Sequence, residues 1–111
     1  MTATIGTPLD LILKSIRPGH GILVRVDGSI EAYDTTSADK TYDFKAMKDT
    51  IGCQYGELVY LSNEVIMVLD EEGKLCDKEI NLFATALYQE RFWGNDFIAG
   101  DVVICHTTGI K

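Results

Sequence analysis

Residues 57–69 read ELVYLSNEVIMVL, and this stretch decides the fold. Before the break, Leu58 and Tyr60 alternate with Val59 and Leu61, the period of two that marks a strand. Ser62-Asn63 supplies a tight turn. Glu64 to Leu69 then forms a nearly continuous apolar strand, so the two runs make an antiparallel hairpin.

Upstream lies a second hairpin. Ile22 to Val26 alternates Ile22, Val24 and Val26 against Leu23 and Arg25, Asp27-Gly28 is a strong turn pair, and Ile30 to Tyr33 returns. The polar stretch Thr35 to Lys40 reads as a loop. Asp43 can cap a helix that carries Phe44, Met47 and Ile51 on one face, and Gly52 can end it. Downstream, Asp70-Glu71-Glu72-Gly73-Lys74 reads as a solvated turn, after which Leu75-Cys76 briefly resumes a strand. Asn81 to Phe92 reads as a helix with Leu82, Ala84, Leu87 and Tyr88 near one face, and Trp93-Gly94-Asn95-Asp96 breaks it. Asp101 to His106 forms a closing strand.

At the other end, Thr7-Pro8 resembles a capped helix start. Leu9, Leu11 and Leu13 also alternate as a strand would, so both readings of 8–16 stand. Arg17-Pro18-Gly19-His20-Gly21 must turn. Hairpins separated by isolated helices predict an α+β fold: a mainly antiparallel sheet with two or three short helices.

The chain of 111 residues has room for one ordinary domain, taken as 1–111, and 46% hydrophobic residues argue against disorder. A net charge of −7 opposes direct nucleic-acid binding and adhesion to anionic membranes, which need clustered Lys and Arg. No apolar run approaches the roughly 20 residues that span a bilayer. Met1 to Thr7 lacks the basic and apolar regions of a leader, so the expected location is cytoplasmic. Cys53, Cys76 and Cys105 are odd in number and widely spaced, which predicts free thiols.

Several segments together resemble a known family. They are the helix Asp43 to Ile51 with Gly52, the strand Glu57 to Leu61, the acidic turn Asp70 to Lys74, Ile80-Asn81-Leu82-Phe83-Ala84-Thr85, and the ending Asp96 to Ile104. Over about residues 42–105 this series is similar to the domain of unknown function numbered 3846, small proteins common in phages and mobile elements. The family usually reads Gly-Gly-Tyr-Ile-Glu after the first helix, whereas this chain has Gly52-Cys53-Gln54-Tyr55-Gly56-Glu57. The resemblance implies a phage or mobile-element setting, with host cytoplasm as the location. It assigns no catalytic residue.

The residues themselves assemble no catalytic set. Cys105 and His106 are neighbours on a strand and point to opposite faces, giving a buried Cys105 and an exposed His106. His20 sits in a glycine-rich loop without an evident partner, and no Cys or His pair has zinc spacing. Asp70, Glu71 and Glu72 lack the alternation of a calcium loop. The expectation is therefore no metal and no cofactor. Candidate binding residues are Tyr88, Phe92 and Trp93, because aromatics dominate contact hot spots. Arg17 and His20 follow, because glycine lets backbone approach a phosphate. Asn81 and Thr85 share a helix face at i, i+4, although Asn81 also suits a cap. The first functional reading is a non-enzymatic binding protein with a host or viral protein partner. A small-ligand (nucleotide) binder comes second and a small hydrolase third. Oligomeric state leaves no signature beyond possible edge strands.

Overall fold

Helix α1 (Pro8–Ser15) opens the computed structural model, which describes residues 6–110. The Thr7 hydroxyl accepts the Asp10 N–H at 3.2 Å, and Pro8 fills a first-turn position that needs no N–H donor. The two readings of 8–16 resolve to a helix, because Leu9, Ile12 and Ile16 are the buried positions and Leu11 is exposed. That is spacing of three and four, not two.

Strands β1 (His20–Val24) and β2 (Ile30–Asp34) pair antiparallel around Asp27-Gly28. Gly28 adopts φ +93°, and the Asp27 carboxylate accepts the Ser29 N–H at 2.8 Å. Helix α2 (Phe44–Ile51) begins where the Asp43 carboxylate accepts the Lys45 and Ala46 N–H groups, and it ends at Gly52 in the left-handed region. Strands β3 (Gly56–Tyr60) and β4 (Val65–Asp70) form the second hairpin. In its turn the Ser62 hydroxyl accepts the N–H groups of Glu64 and Val65, both at 3.1 Å. Helix α3 (Leu82–Arg91) and strand β5 (Val102–His106) follow, then one 3-10 turn, Thr107–Gly109.

All pairings are antiparallel and the sheet order is β2-β1-β5-β4-β3, so the fold is α+β as expected. Helices cover both faces. On one, α1 and α3 bury Leu9, Ile12, Ala84 and Leu87 against Val24, Met67, Val102 and Ile104. On the other, α2 buries Met47 and Ile51 against Leu23, Ile66, Val68, Val103 and Cys105. Val103 and Ile104 are therefore both core, facing opposite sides, and every residue of β4 is buried.

Five local expectations are corrected. His20 and Gly21 belong to β1, which starts two residues earlier than the alternation suggested. A Cβ at Gly21 would come within 2.6 Å of the Ile104 carbonyl oxygen, so this glycine serves close approach of β1 to β5. Leu75-Cys76 lies in a turn with Leu75 exposed, not in a strand. Leu82 points outward, because it stands two positions before Ala84 and about 200° around the helix from the buried stripe. Asp70 is buried, not solvated: it pairs with Lys78 Nζ at 2.7 Å and accepts the Glu72 N–H at 2.9 Å. Lys78 also donates to the Ile51 and Gly52 carbonyls, closing the end of α2. His106 is half-buried rather than exposed.

Cys53, Cys76 and Cys105 are unpaired. Among the described residues no helix is long and apolar enough to cross a membrane. The reading of Met1 to Thr7 as lacking a leader falls mostly on residues 1–5, outside the described residues.

Candidate functional site

Tyr88 and Phe92 stand one turn apart on α3, and their rings pack with centroids 5.0 Å apart at 40°. The Arg91 guanidinium lies 4.6 Å from the Phe92 ring centre. Beyond the helix end the chain turns at Gly94, φ +145°, and Trp93 is left 93% exposed. A shallow groove of about 140 Å³ runs between Tyr88, Gln89, Phe92, Trp93 and Asn95. The three aromatic candidates thus form one surface, and its outer member is almost fully in water.

A second concavity adjoins the first, because Tyr88 and Asp96 line both. It encloses about 110 Å³ and is lined by Val59, Leu69 and Ile98 together with Glu57, Glu71 and Lys74. Lys74 pairs with Asp96 and lies 4.6 Å over the Phe97 ring. The Lys74 ammonium, and then the Phe97 N–H, hold the Asp96 carboxyl below its usual value. The Glu57 and Glu71 carboxylates and the Tyr88 hydroxyl have no hydrogen-bond or ion-pair partner among the described residues. Sequence reading missed Glu57 and Glu71, since a carboxylate on an exposed strand position or in a turn is ordinary until the fold sets it beside a cleft.

Asn81 and Thr85 lie elsewhere on α3 and work inside the protein. Asn81 is fully buried. Its side-chain oxygen accepts the Ala84 N–H at 3.0 Å, and its amide donates to the Val24 and Gly100 carbonyls, each at 3.0 Å. The Thr85 hydroxyl accepts the Ile98 N–H at 2.9 Å and donates to the Ile98 carbonyl at 3.3 Å. Together they tie α3 to the segment leading into β5. Their polar atoms are engaged by backbone.

Arg17 and His20 are bridged through their backbones, but their side chains serve different places. His20 Nδ1 lies 3.3 Å from the Asp34 carboxylate, across the β1–β2 ladder, with both side chains exposed. Arg17 lines a different groove of about 460 Å³, together with Leu13, Ile16, Ser62, Val65 and His106. Residues 17 and 106 meet because β1 pairs with β5. His20 and His106 therefore serve separate places. Cys105, on the opposite face of β5 from His106, is buried, and burial pushes its thiol up to about 12, so it carries no thiolate at neutral pH. Among the described residues no group of three or more His, Cys, Asp and Glu is placed to hold a metal ion.

A family model described as Domain of unknown function (DUF3846) matches residues 16–110. No curated protein and no solved structure matches the chain.

Proposed function

The chain belongs to the DUF3846 family, and from that premise we propose that it is a non-enzymatic binding module that engages a protein partner through the surface formed by Tyr88, Phe92 and Trp93. The observation that carries this reading is Trp93, 93% exposed beside a packed aromatic pair. A large aromatic ring left in water is costly, and such rings, once covered, supply about 2 kcal/mol or more each at protein interfaces. The adjoining cleft adds charge selection. Unpaired Glu57 and Glu71 beside the aromatic surface favour a basic partner, in keeping with a net charge of −7. A phage or mobile-element setting, with action on a host or viral protein in the host cytoplasm, accords with the family resemblance.

The test places a photo-crosslinking amino acid at exposed Asn95 in the same groove, once in the wild-type background and once together with Trp93→Ala. Site-specific crosslinking to one basic protein, with loss of that capture in Trp93→Ala at unchanged thermal stability, is the expected result. Equal capture by wild type and Trp93→Ala would overturn the assignment of the surface. Multiple-turnover conversion of a screened nucleotide, abolished by changing His20 or His106, would overturn the binding-only reading.

A further inference from the structure

We propose that the groove between the end of α1 and the β3–β4 turn binds an aliphatic carboxylate, with Arg17 and His106 holding the carboxylate and Leu13, Ile16 and Val65 receiving the hydrocarbon. The groove has a volume of about 460 Å³, room for a short branched chain. Arg17 follows the last turn of α1. Its backbone is fixed by a two-way bridge to His20: the Arg17 N–H donates to the His20 carbonyl at 3.3 Å, and the His20 N–H returns to the Arg17 carbonyl at 2.9 Å. The Arg17 side chain is exposed and has no ion-pair or hydrogen-bond partner among the described residues. In the same groove, His106 Nδ1 accepts the Thr108 N–H at 3.2 Å. An accepting Nδ1 places the proton of the neutral ring on Nε2. Nε2 stands 3.5 Å from the Glu64 carboxylate, too far for a good hydrogen bond. Two N–H donors without a close acceptor thus line one groove together with apolar side chains.

The lining selects the ligand. A guanidinium is planar and matches a carboxylate with two parallel N–H bonds. Among the described residues Arg17 is the one permanent cation lining the groove, and exposed Glu64 lines it too, so a monoanion suits the site better than a doubly charged phosphate. Among the described residues no Phe, Tyr or Trp lines the groove, so a nucleobase lacks the large ring on which it usually stacks. Leu13 is half-buried, Ile16 and Val65 are buried, and all are branched aliphatics. The same chemistry, an aliphatic group next to a carboxylate, is offered by a free branched-chain acid and by the C-terminus of a polypeptide ending in leucine. These residues are distinct from the Trp93 surface, so either assignment can fail without the other.

The experiment follows backbone amide chemical shifts while isocaproate is titrated into the full chain. Isocaproamide and inorganic phosphate are run in parallel, with an acetylated peptide ending in leucine as acid and as amide. Saturable shifts confined to Leu13, Arg17, Glu64, Val65 and His106 are expected with the acids. The Arg17→Gln change, at an exposed side chain, should weaken binding by about tenfold or more, and Trp93→Ala should leave it unchanged. Tighter binding of the peptide acid assigns the source to a polypeptide terminus, and binding of isocaproate alone assigns it to a small molecule. Amides binding as well as acids, phosphate binding more tightly than isocaproate, equal affinity in Arg17→Gln, or no saturable shift with any acid would each overturn the proposal.

Discussion

The two faces of the sheet use the same strands but are closed by different means. The face under α1 and α3 is sealed by aliphatic side chains from two helices, and its fully buried polar group, Asn81, has its amide hydrogen-bonded to backbone. The face under α2 has a single helix of eight residues. What α2 leaves open is closed by side chains from loops. Tyr33 and Tyr42 stack at 5.4 Å, and Cys53 and Ile110 pack at the margin. The Tyr42 hydroxyl donates to the Tyr33 carbonyl at 2.8 Å. A sheet face wider than one helix is thus completed by groups that titrate. One face should depend on packing and uncharged hydrogen bonds, and the other on pH as well.

The comparison breaks first at the two methionines. Met67 and Met47 are both fully buried, Met67 on β4 under two helices and Met47 on α2 itself. Truncation to Ala costs about 2–5 kcal/mol at such sites, the amount depending on how far the surroundings collapse into the void. Met67→Ala should fall near the top of that range, because a central strand held by ladders on both sides cannot move inward. Met47→Ala should fall near the bottom, because a short helix can settle toward the sheet and Ala favours helix. Denaturant midpoints decide; equal losses would mean that the two faces are equally rigid.

Asn81 sharpens the contrast next. Asn81→Ala removes a helix cap and leaves the Val24 and Gly100 carbonyls short of a donor, at a cost of about 3 kcal/mol. A loss like that of an exposed cap, about 1 kcal/mol, would show that water replaces the amide and that this face is less dry than it looks.

The smallest effect is confined to alkaline pH. Burial raises the Tyr42 hydroxyl from 10.0 to about 12 and the Cys105 thiol from 9.0 to about 12, both on the α2 face. Raised values mean that the folded state favours the protonated groups. Their contribution is whole below the unfolded values of 9.0 and 10.0, and it is lost as pH rises through about 12. Thermal stability should therefore fall over that window, and less steeply in Tyr42→Phe. An identical alkaline slope in the two proteins would remove Tyr42 as a cause.

What the sequence made legible was local. Asp27-Gly28, Ser62-Asn63, Asp43 with Gly52, and the Asn81 cap each write their geometry within a few residues, and each element appears where those signals place it. What was illegible depends on partners distant in sequence. Nothing near Asp70 announces Lys78 as its counter-ion, so a buried carboxylate read as a solvated tip. Nothing near Leu82 shows which stripe of α3 will face the sheet. Tyr88, Phe92 and Trp93 were readable as a cluster because one helix end holds them. Arg17 and His106 were not, because only the β1–β5 ladder brings them to one groove.

The central place of β5 also sets the order in which the molecule can assemble. β1–β2 and β3–β4 are local hairpins, yet they share no ladder with each other. Each must wait for β5, the last strand in chain order, whose register joins Val24 to Val102 and Met67 to Ile104. On a ribosome, both hairpins emerge with one apolar edge unpaired, and the closing event is the insertion of a strand between two preformed halves. Contacts of such long sequence separation slow folding. They also leave the inner edges of β1 and β4 as templates for a stray strand until β5 arrives. The wait for this strand is when the chain is most open to aggregation and to capture by chaperones.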